Sequence, residues 1–400
     1  MTKLPQFDHH APDHHALWIE QTDHMRANGP VGWTDANGGH WVIVGYEAVR
    51  QATMDWETFS ARHDTTGACP YARGIGIPPF EFPLILSESD PPRQQKLRLL
   101  EMPFFRIDRI RARADTVRRH IDDCLATIDG RVEIDLFRDY AMPIVAQTTM
   151  AVVGVDLARW SEFTLGIHRG ATGPSFDLSA DIQRVHAMLL ELVRERRREP
   201  KADIVSALVQ GEVMGSPLTD DEVLSMLSAL VLGGFDTTTA LISNALIWLD
   251  QNRWAHAELL ADEALMTNAV DEFLRMWAPT LGSGRNVTRD VEFGGQALKA
   301  GDRVLLSWAA ANRDPTVFEA PHEIRLNRAN AARYLTFGLG PHHCLGSELA
   351  RLIGRLTIAA VLERYPRFAI RHGGLVRYRS KGFVVGWSRV PATLIPAHGD

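Results

Sequence analysis

The chain has 400 residues, 45% of them hydrophobic and 23% charged, which is enough apolar material for a sizeable core. A formal net charge of −6 gives no electrostatic reason for a nucleic-acid partner. Three cysteines (Cys69, Cys124 and Cys344), odd in number and far apart, argue against a disulfide framework and for a reducing, cytoplasmic compartment.

The start, MTKLPQFDHHAPDHHALW, lacks the basic and apolar regions of a secretory signal. Residues 1–18 read as a poorly ordered tail, and His9, His10, His14 and His15 as solvated rather than metal-binding. HWVIVGYEAVRQAT reads as a strand that turns into a helix after Gly45. Residues 64–92 are dense in glycine and proline and form a long structured loop. Asp90 and Pro91 then open a helix, with Asp90 expected as its N-cap.

From about 108 to 264 the helical period dominates, and Thr219 with Glu222 forms a capping box before a long apolar helix. No uncharged apolar run reaches the roughly 18 residues of a membrane span, so no span is expected and this helix reads as buried in protein. A further helix over about 266–277 stops before Pro279. VTRDVEFGGQALKAGDRVLLSW alternates around two glycine turns, as short strands do. A last helix begins after Cys344, and the tail from 367 reads as short strands. The fold class is mainly α with a minor β portion (α+β), in one domain over 1–400, with no repeat and no linker.

FGLGPHHCLG, Phe337–Gly346, concentrates one cysteine, two histidines and glycines in ten residues. Three chemistries compete for it. Cys344 could be a buried structural thiol in a glycine turn. It could join His342 and His343 on zinc, although no further cysteine pair or histidine helix supplies the remaining ligands. Or it could be a thiolate ligand of haem, with the glycines admitting a flat macrocycle and the helix after Cys344 lending its positive end to the sulfur.

The pattern F-G-x-G-x-H-x-C-x-G, filled by Phe337, Gly338, Gly340, His342, Cys344 and Gly346, resembles the haem-binding signature of the cytochrome P-450 family. The resemblance implies a single-domain fold holding haem b (iron protoporphyrin IX) between a long distal helix and the cysteine loop. Cys344 would be the axial iron ligand, with Phe337 and Gly338 against the macrocycle. Further elements follow in the family's order. Glu272 and Arg275, three apart on one helix face, are similar to its E-x-x-R pair, with Arg328 or a neighbour as third partner. LGGFDTTT is similar to its oxygen groove: Gly233 and Gly234 would open room for dioxygen, while Asp236 and Thr237 would deliver the protons that its reduction consumes.

Haem propionates need cationic or hydrogen-bonding partners. The resemblance implies Arg285, His342 and Arg98 in that role, with Gln94 standing where a histidine is usual. Asn312–Pro315 reads as a structural turn. The implied activity is monooxygenation of a small apolar organic substrate with dioxygen and electrons from a separate ferredoxin-type donor. Oxidative coupling, dehydrogenation, peroxide-driven oxidation and a non-enzymatic haem sensor are the alternatives. The pocket is expected from the 64–90 loop, the 165–180 segment, Leu232, Phe235 and the stretch after Pro279, including Ile75, Ile77, Phe80, Phe82 and Leu281. Arg93, Lys96, Arg106, Arg109, Arg111 and Arg113 could dock an acidic electron carrier or be ordinary surface charge.

Overall fold

The apolar stretch after Thr219 forms the longest helix, and the other layers pack around it. The computed structural model describes residues 6–64, 66–69, 71–164, 168, 180–378 and 384–395. Its principal helices are α1 (His14–Ala27), α2 (Tyr46–Met54), α3 (Arg93–Glu101), α4 (Ala114–Ile128), α5 (Met142–Val153), α6 (Ala180–Arg198), α7 (Asp220–Gln251), α8 (Glu263–Met276) and α9 (Ser347–Arg364). The largest sheet contains β1 (Val31–Thr34), β2 (His40–Ile43), β3 (Phe59–Ser60), β4 (Ser283–Val287) and β5 (Arg303–Leu306) in the order β1-β2-β5-β4-β3. Only the β2–β5 pairing is parallel.

The capping box starts α7 as expected: Glu222 N–H donates to Thr219 Oγ1 at 3.2 Å, and Thr219 N–H donates to the Glu222 carboxylate at 2.9 Å. Such caps are worth about 1 kcal/mol. One face of α7 (Phe235, Leu241, Ala245 and Leu249) joins Tyr140, Ile144, Ile353 and Ile358 in the main core. Its N-terminal half (Val223, Leu227 and Val231) packs with Leu189, Val193 and Ile204 in a second. By length and composition it could cross a membrane, but most of its apolar window is buried in protein.

Two local expectations are corrected. Asp90 does not cap α3, which begins at Arg93 without a side-chain cap. Its carboxylate instead accepts from Ser60 Oγ at 2.5 Å and the Ala61 amide at 3.0 Å, tying the loop to β3. The N-terminal tail is not loose from Gln6 onward. Phe7 is buried with Val42, Val44 and Ile77, and its carbonyl accepts from Thr34 Oγ1 at 2.6 Å. An aromatic anchor thus draws His9 and His14 into the protein beside buried His40.

Buried charge shapes the long loop. Glu88 accepts from the amides of Ile75 and Leu84, both at 2.9 Å. Arg303, reaching from β5, donates to the carbonyls of Gly74 and Gly76.

Candidate haem site

The cysteine loop is set by backbone geometry that few residues tolerate. Gly338 and Gly340 have φ of 64° and 62°, the left-handed region that favours glycine. A Cβ on Gly340 would also fall 2.8 Å from Met54 Sδ. The Cys344 amide donates to the Phe337 carbonyl at 2.7 Å, closing the turn. The approach to the loop is pinned from β5's side: Asn312 Oδ1 accepts from the Leu335 amide at 2.6 Å, and its Nδ2 donates to Thr336 Oγ1 at 2.8 Å. Gln94 on α3 donates to the Pro341 carbonyl at 2.7 Å, so this amide donor is committed to the loop's backbone.

Behind the loop lies the expected ion network, now complete. Arg275 forks onto Glu272 at 2.7 and 2.8 Å, and Arg328 Nε reaches the same carboxylate at 2.9 and 3.0 Å. Arg275 also donates to the carbonyls of Asn312, Pro321 and Glu323, and Arg328 to that of Glu319. All three side chains are essentially inaccessible to solvent. Buried charge is tolerable here because every donor has an acceptor.

Cys344 lines a cavity of about 300 Å³ between α9 and α7, walled also by Phe337, His342, Arg98, Arg285, Gly233, Gly234 and Thr237. Burial raises the thiol above its ordinary range; the Gly346 amide and the Arg98 and Arg351 guanidiniums pull the other way, towards thiolate. Burial also pushes Arg285 down to about 10. His342 is pushed to about 3, first by burial and then by the positive charges of Arg285 and Arg98. His342 Nε2 and Trp308 Nε1, both on the cavity wall, are buried without a hydrogen-bond partner.

These features fit haem b. The buried guanidinium of Arg285, the half-buried one of Arg98, an imidazole and an indole N–H at one cavity call for anionic groups, and two propionates match that demand. Gly233 has nothing within 4 Å of where a Cβ would project, so α7 leaves open space above the sulfur. Gly234 serves packing, since its Cβ would meet Thr149 at 2.7 Å.

Asp236 is the departure. It is adjacent to Thr237, and successive residues on a helix point about 100° apart. Thr237 faces the cavity, with its hydroxyl donating to the Gly233 carbonyl at 2.7 Å. Asp236 faces away. Its Oδ1 accepts from the Tyr378 hydroxyl at 3.1 Å and lies 2.7 Å from His168 Nδ1, while its buried Oδ2 has no hydrogen-bond partner. Tyr378, Trp308 and Arg351 were invisible as site residues in the sequence, because each is brought there by an element distant along the chain, and His168, inside the expected 165–180 segment, was not singled out.

The expected pocket list is corrected likewise. Ile75 and Leu232 line the cavity. Ile77 packs with Phe7 and Val42, and Leu281 with Ala278 and Ala309. Phe235 lies in the main core, Phe80 covers Gly76, and Phe82 lies tilted against His186. Apolar character marked these residues as buried, but not which interior they enter. Of the expected 165–180 segment, only His168 and Ala180 lie within the described residues.

A cysteine loop on one side of an internal cavity, a glycine pair on the other and basic groups at its rim define the class: a haem-thiolate oxygenase. The sequence profile of the family described as Cytochrome P-450 matches residues 169–385. A steroid C26-monooxygenase of Mycolicibacterium smegmatis is 30% identical over 381 residues, 93% of this chain and 92% of that protein. A vitamin D(3) 25-hydroxylase of Pseudonocardia autotrophica is 30% identical over 382 residues, with coverage of 93% and 92%. The structure of a family member from Chondromyces apiculatus, CYP109Q5, superposes with a TM-score of 0.84 at 27% identity, covering 99% of this chain and all of that one.

The chain belongs to the cytochrome P-450 family and is one of its monooxygenases. Haem b, when bound, supplies the activation of dioxygen for transfer of one oxygen atom, using electrons from a redox partner.

Proposed function

We propose that this monooxygenase oxidises a small apolar organic molecule inside the cell, with electrons from a separate ferredoxin-type donor. The observation that carries the substrate class is the mainly apolar lining around Gly233: Ile75, Leu86, Leu230, Leu232 and Pro279 offer hydrocarbon surface, and the polar groups among them are mostly single hydroxyls such as those of Ser87, Thr237 and Thr280. Relatives named for steroid and vitamin D(3) oxidation make steroids and secosteroids the first compounds to try.

In this reading Cys344 is the axial ligand. Arg98, Arg285 and His342 hold the propionates, joined by Trp308. Phe337 and Gly338 shape the cysteine face, and Gly233 leaves room for dioxygen while Gly234 lets α7 pack closely on Thr149. Thr237 and Asp236 manage protons: Thr237 can turn its hydroxyl from the Gly233 carbonyl into the cavity. Asp236, on the outer side of the same turn, connects that hydroxyl through water to His168 and Tyr378.

An apolar strip of exposed Leu99, Met102 and Ile107 is set among exposed Arg106, Arg109 and Arg111, and we assign donor docking to it. Charge reversal at Arg109 and Arg111 lowers the reduction rate and flattens its salt dependence; an unchanged rate removes docking from this face. Titration of the ferric protein with steroids, terpenoids and fatty acids, read by the absorbance change as iron-bound water leaves, tests the substrate class. Binding confined to charged, water-soluble compounds overturns it.

A further inference from the structure

Helix α3 buries Gln94, Leu97 and Glu101 on one face, at positions i, i+3 and i+7. Leu97 is what that spacing asks for, and Gln94 is committed to the cysteine loop. Glu101 has no such explanation. It is fully buried, lines the haem cavity, and both carboxyl oxygens lack a hydrogen-bond partner. An isolated carboxylate in such a place is strongly disfavoured, so the group has to stay neutral or meet a positive charge.

The surroundings of Glu101 offer one charge. The ionisable groups that line the same cavity are Arg98, Arg285, His342, His343 and Cys344, and of these only Arg98 acts measurably on the Glu101 carboxyl. Among the described residues the charged group acting on it is Arg98, one turn earlier on α3, and both Glu101 oxygens are left without a hydrogen-bond partner. Arg98 is also the guanidinium that acts on Cys344 and that a propionate would engage. Burial carries the Glu101 carboxyl up to about 8, so at neutral pH it holds a proton and near pH 8 it can lose one.

We infer that Glu101 makes the potential at which the haem accepts its electron depend on pH, by taking up a proton as the electron arrives whenever the carboxyl is ionised. The balance is one electron from the ferredoxin-type donor to the iron and one proton from solvent to a Glu101 oxygen. The added negative charge is thereby neutralised within the same low-dielectric cavity. Below the pH at which Glu101 ionises in the oxidised protein, no proton moves and the potential is constant. Above it, reduction must re-protonate the carboxyl, and the potential falls with pH, by at most about 59 mV per unit for a one-electron step.

The test is spectroelectrochemical titration of the haem-loaded full chain between pH 6 and pH 10, for the native protein and Glu101→Gln. The native potential is expected to be flat at the acid end and to fall through pH 8–9. Glu101→Gln, which cannot ionise, is expected to stay at the acid plateau throughout and so to be the more positive of the two at pH 9. Equal slopes in both proteins, or a flat native profile, overturn the inference. Should the amide variant fold poorly, Glu101→Leu gives the same expected plateau. Infrared difference spectra add a readout that needs neither haem nor turnover. A protonated-carboxyl band present at pH 7, bleached by pH 10 and absent from Glu101→Gln supports the inference, and its absence from the native protein contradicts it.

Discussion

The two sides of the haem cavity are built on opposite terms. Behind the cysteine loop the central buried charge is answered: Glu272 is held by Arg275 and Arg328, whose remaining donors are spent on carbonyls of the preceding meander. On the opposite side polar groups keep unspent valence: Asp236 Oδ2 has no partner, and Thr237 returns its hydroxyl to its own helix. A metal ligand has to be placed within tenths of an ångström, which a saturated network achieves. Proton delivery needs groups free to exchange partners, and a saturated network would prevent it.

The sharpest way to break this contrast is to open the saturated side. Glu272→Ala leaves two guanidiniums buried without their carboxylate, a change that costs about 3–5 kcal/mol. Little folded, haem-loaded protein is expected, read by haem content per polypeptide. A variant with native haem content and melting temperature would show that the network is not what holds the loop.

On the open side, Thr237→Ala and Asp236→Asn should leave folding and haem content intact while slowing proton delivery. Product formation is expected to fall roughly 10²-fold, within the range for losing an acid–base group, with electrons diverted to reduced oxygen. Full coupling of reductant use to product in Thr237→Ala would remove that residue from the relay. Tyr378→Phe deletes one hydrogen bond to Asp236, worth about 1.5–3 kcal/mol when a charged partner is involved. Its expected effect is a several-fold loss of product at unchanged substrate affinity, measured as a fall in kcat with KM constant.

The smallest effect lies away from both walls. Burial lowers His9 to about 3, and His14 and His40 to about 4. The folded state therefore keeps them neutral while the detached segment binds protons at the ordinary value near 6.5. Their contribution is fully present above pH 6.5 and is lost as pH falls towards 4. Hydrogen exchange of the Gln6–Ala27 segment is expected to accelerate over that window, while exchange in α7 does not. Uniform exchange of both across the window would contradict the docking of this segment.

The difference between the two walls also explains what the sequence disclosed. Cys344, the glycines around it, Glu272–Arg275 and Gly233, Gly234 and Thr237 are local patterns, legible because a turn or one helix face fixes their geometry, whereas Asp236, one residue earlier than Thr237, points elsewhere. The mainly helical architecture was legible from periodicity and capping for the same reason. Tyr378, Trp308 and Glu101 carry no local signal: each contributes one side chain from a separate element, and only tertiary packing brings Trp308 and Glu101 to the cavity and Tyr378, with His168, to Asp236 on the far side of α7. Phe7 and Asp90 were misread because propensity at a tail and at an N-cap yielded to tertiary partners, Val42 and Ser60.

The account rests on Cys344 ligating the haem iron as a thiolate, and the absorbance spectrum of the ferrous carbonyl complex tests this most directly. The folded native protein is expected to show the red-shifted band of sulfur-ligated iron, lost in Cys344→Ser. A folded protein whose carbonyl complex has the spectrum of imidazole-ligated iron would contradict it.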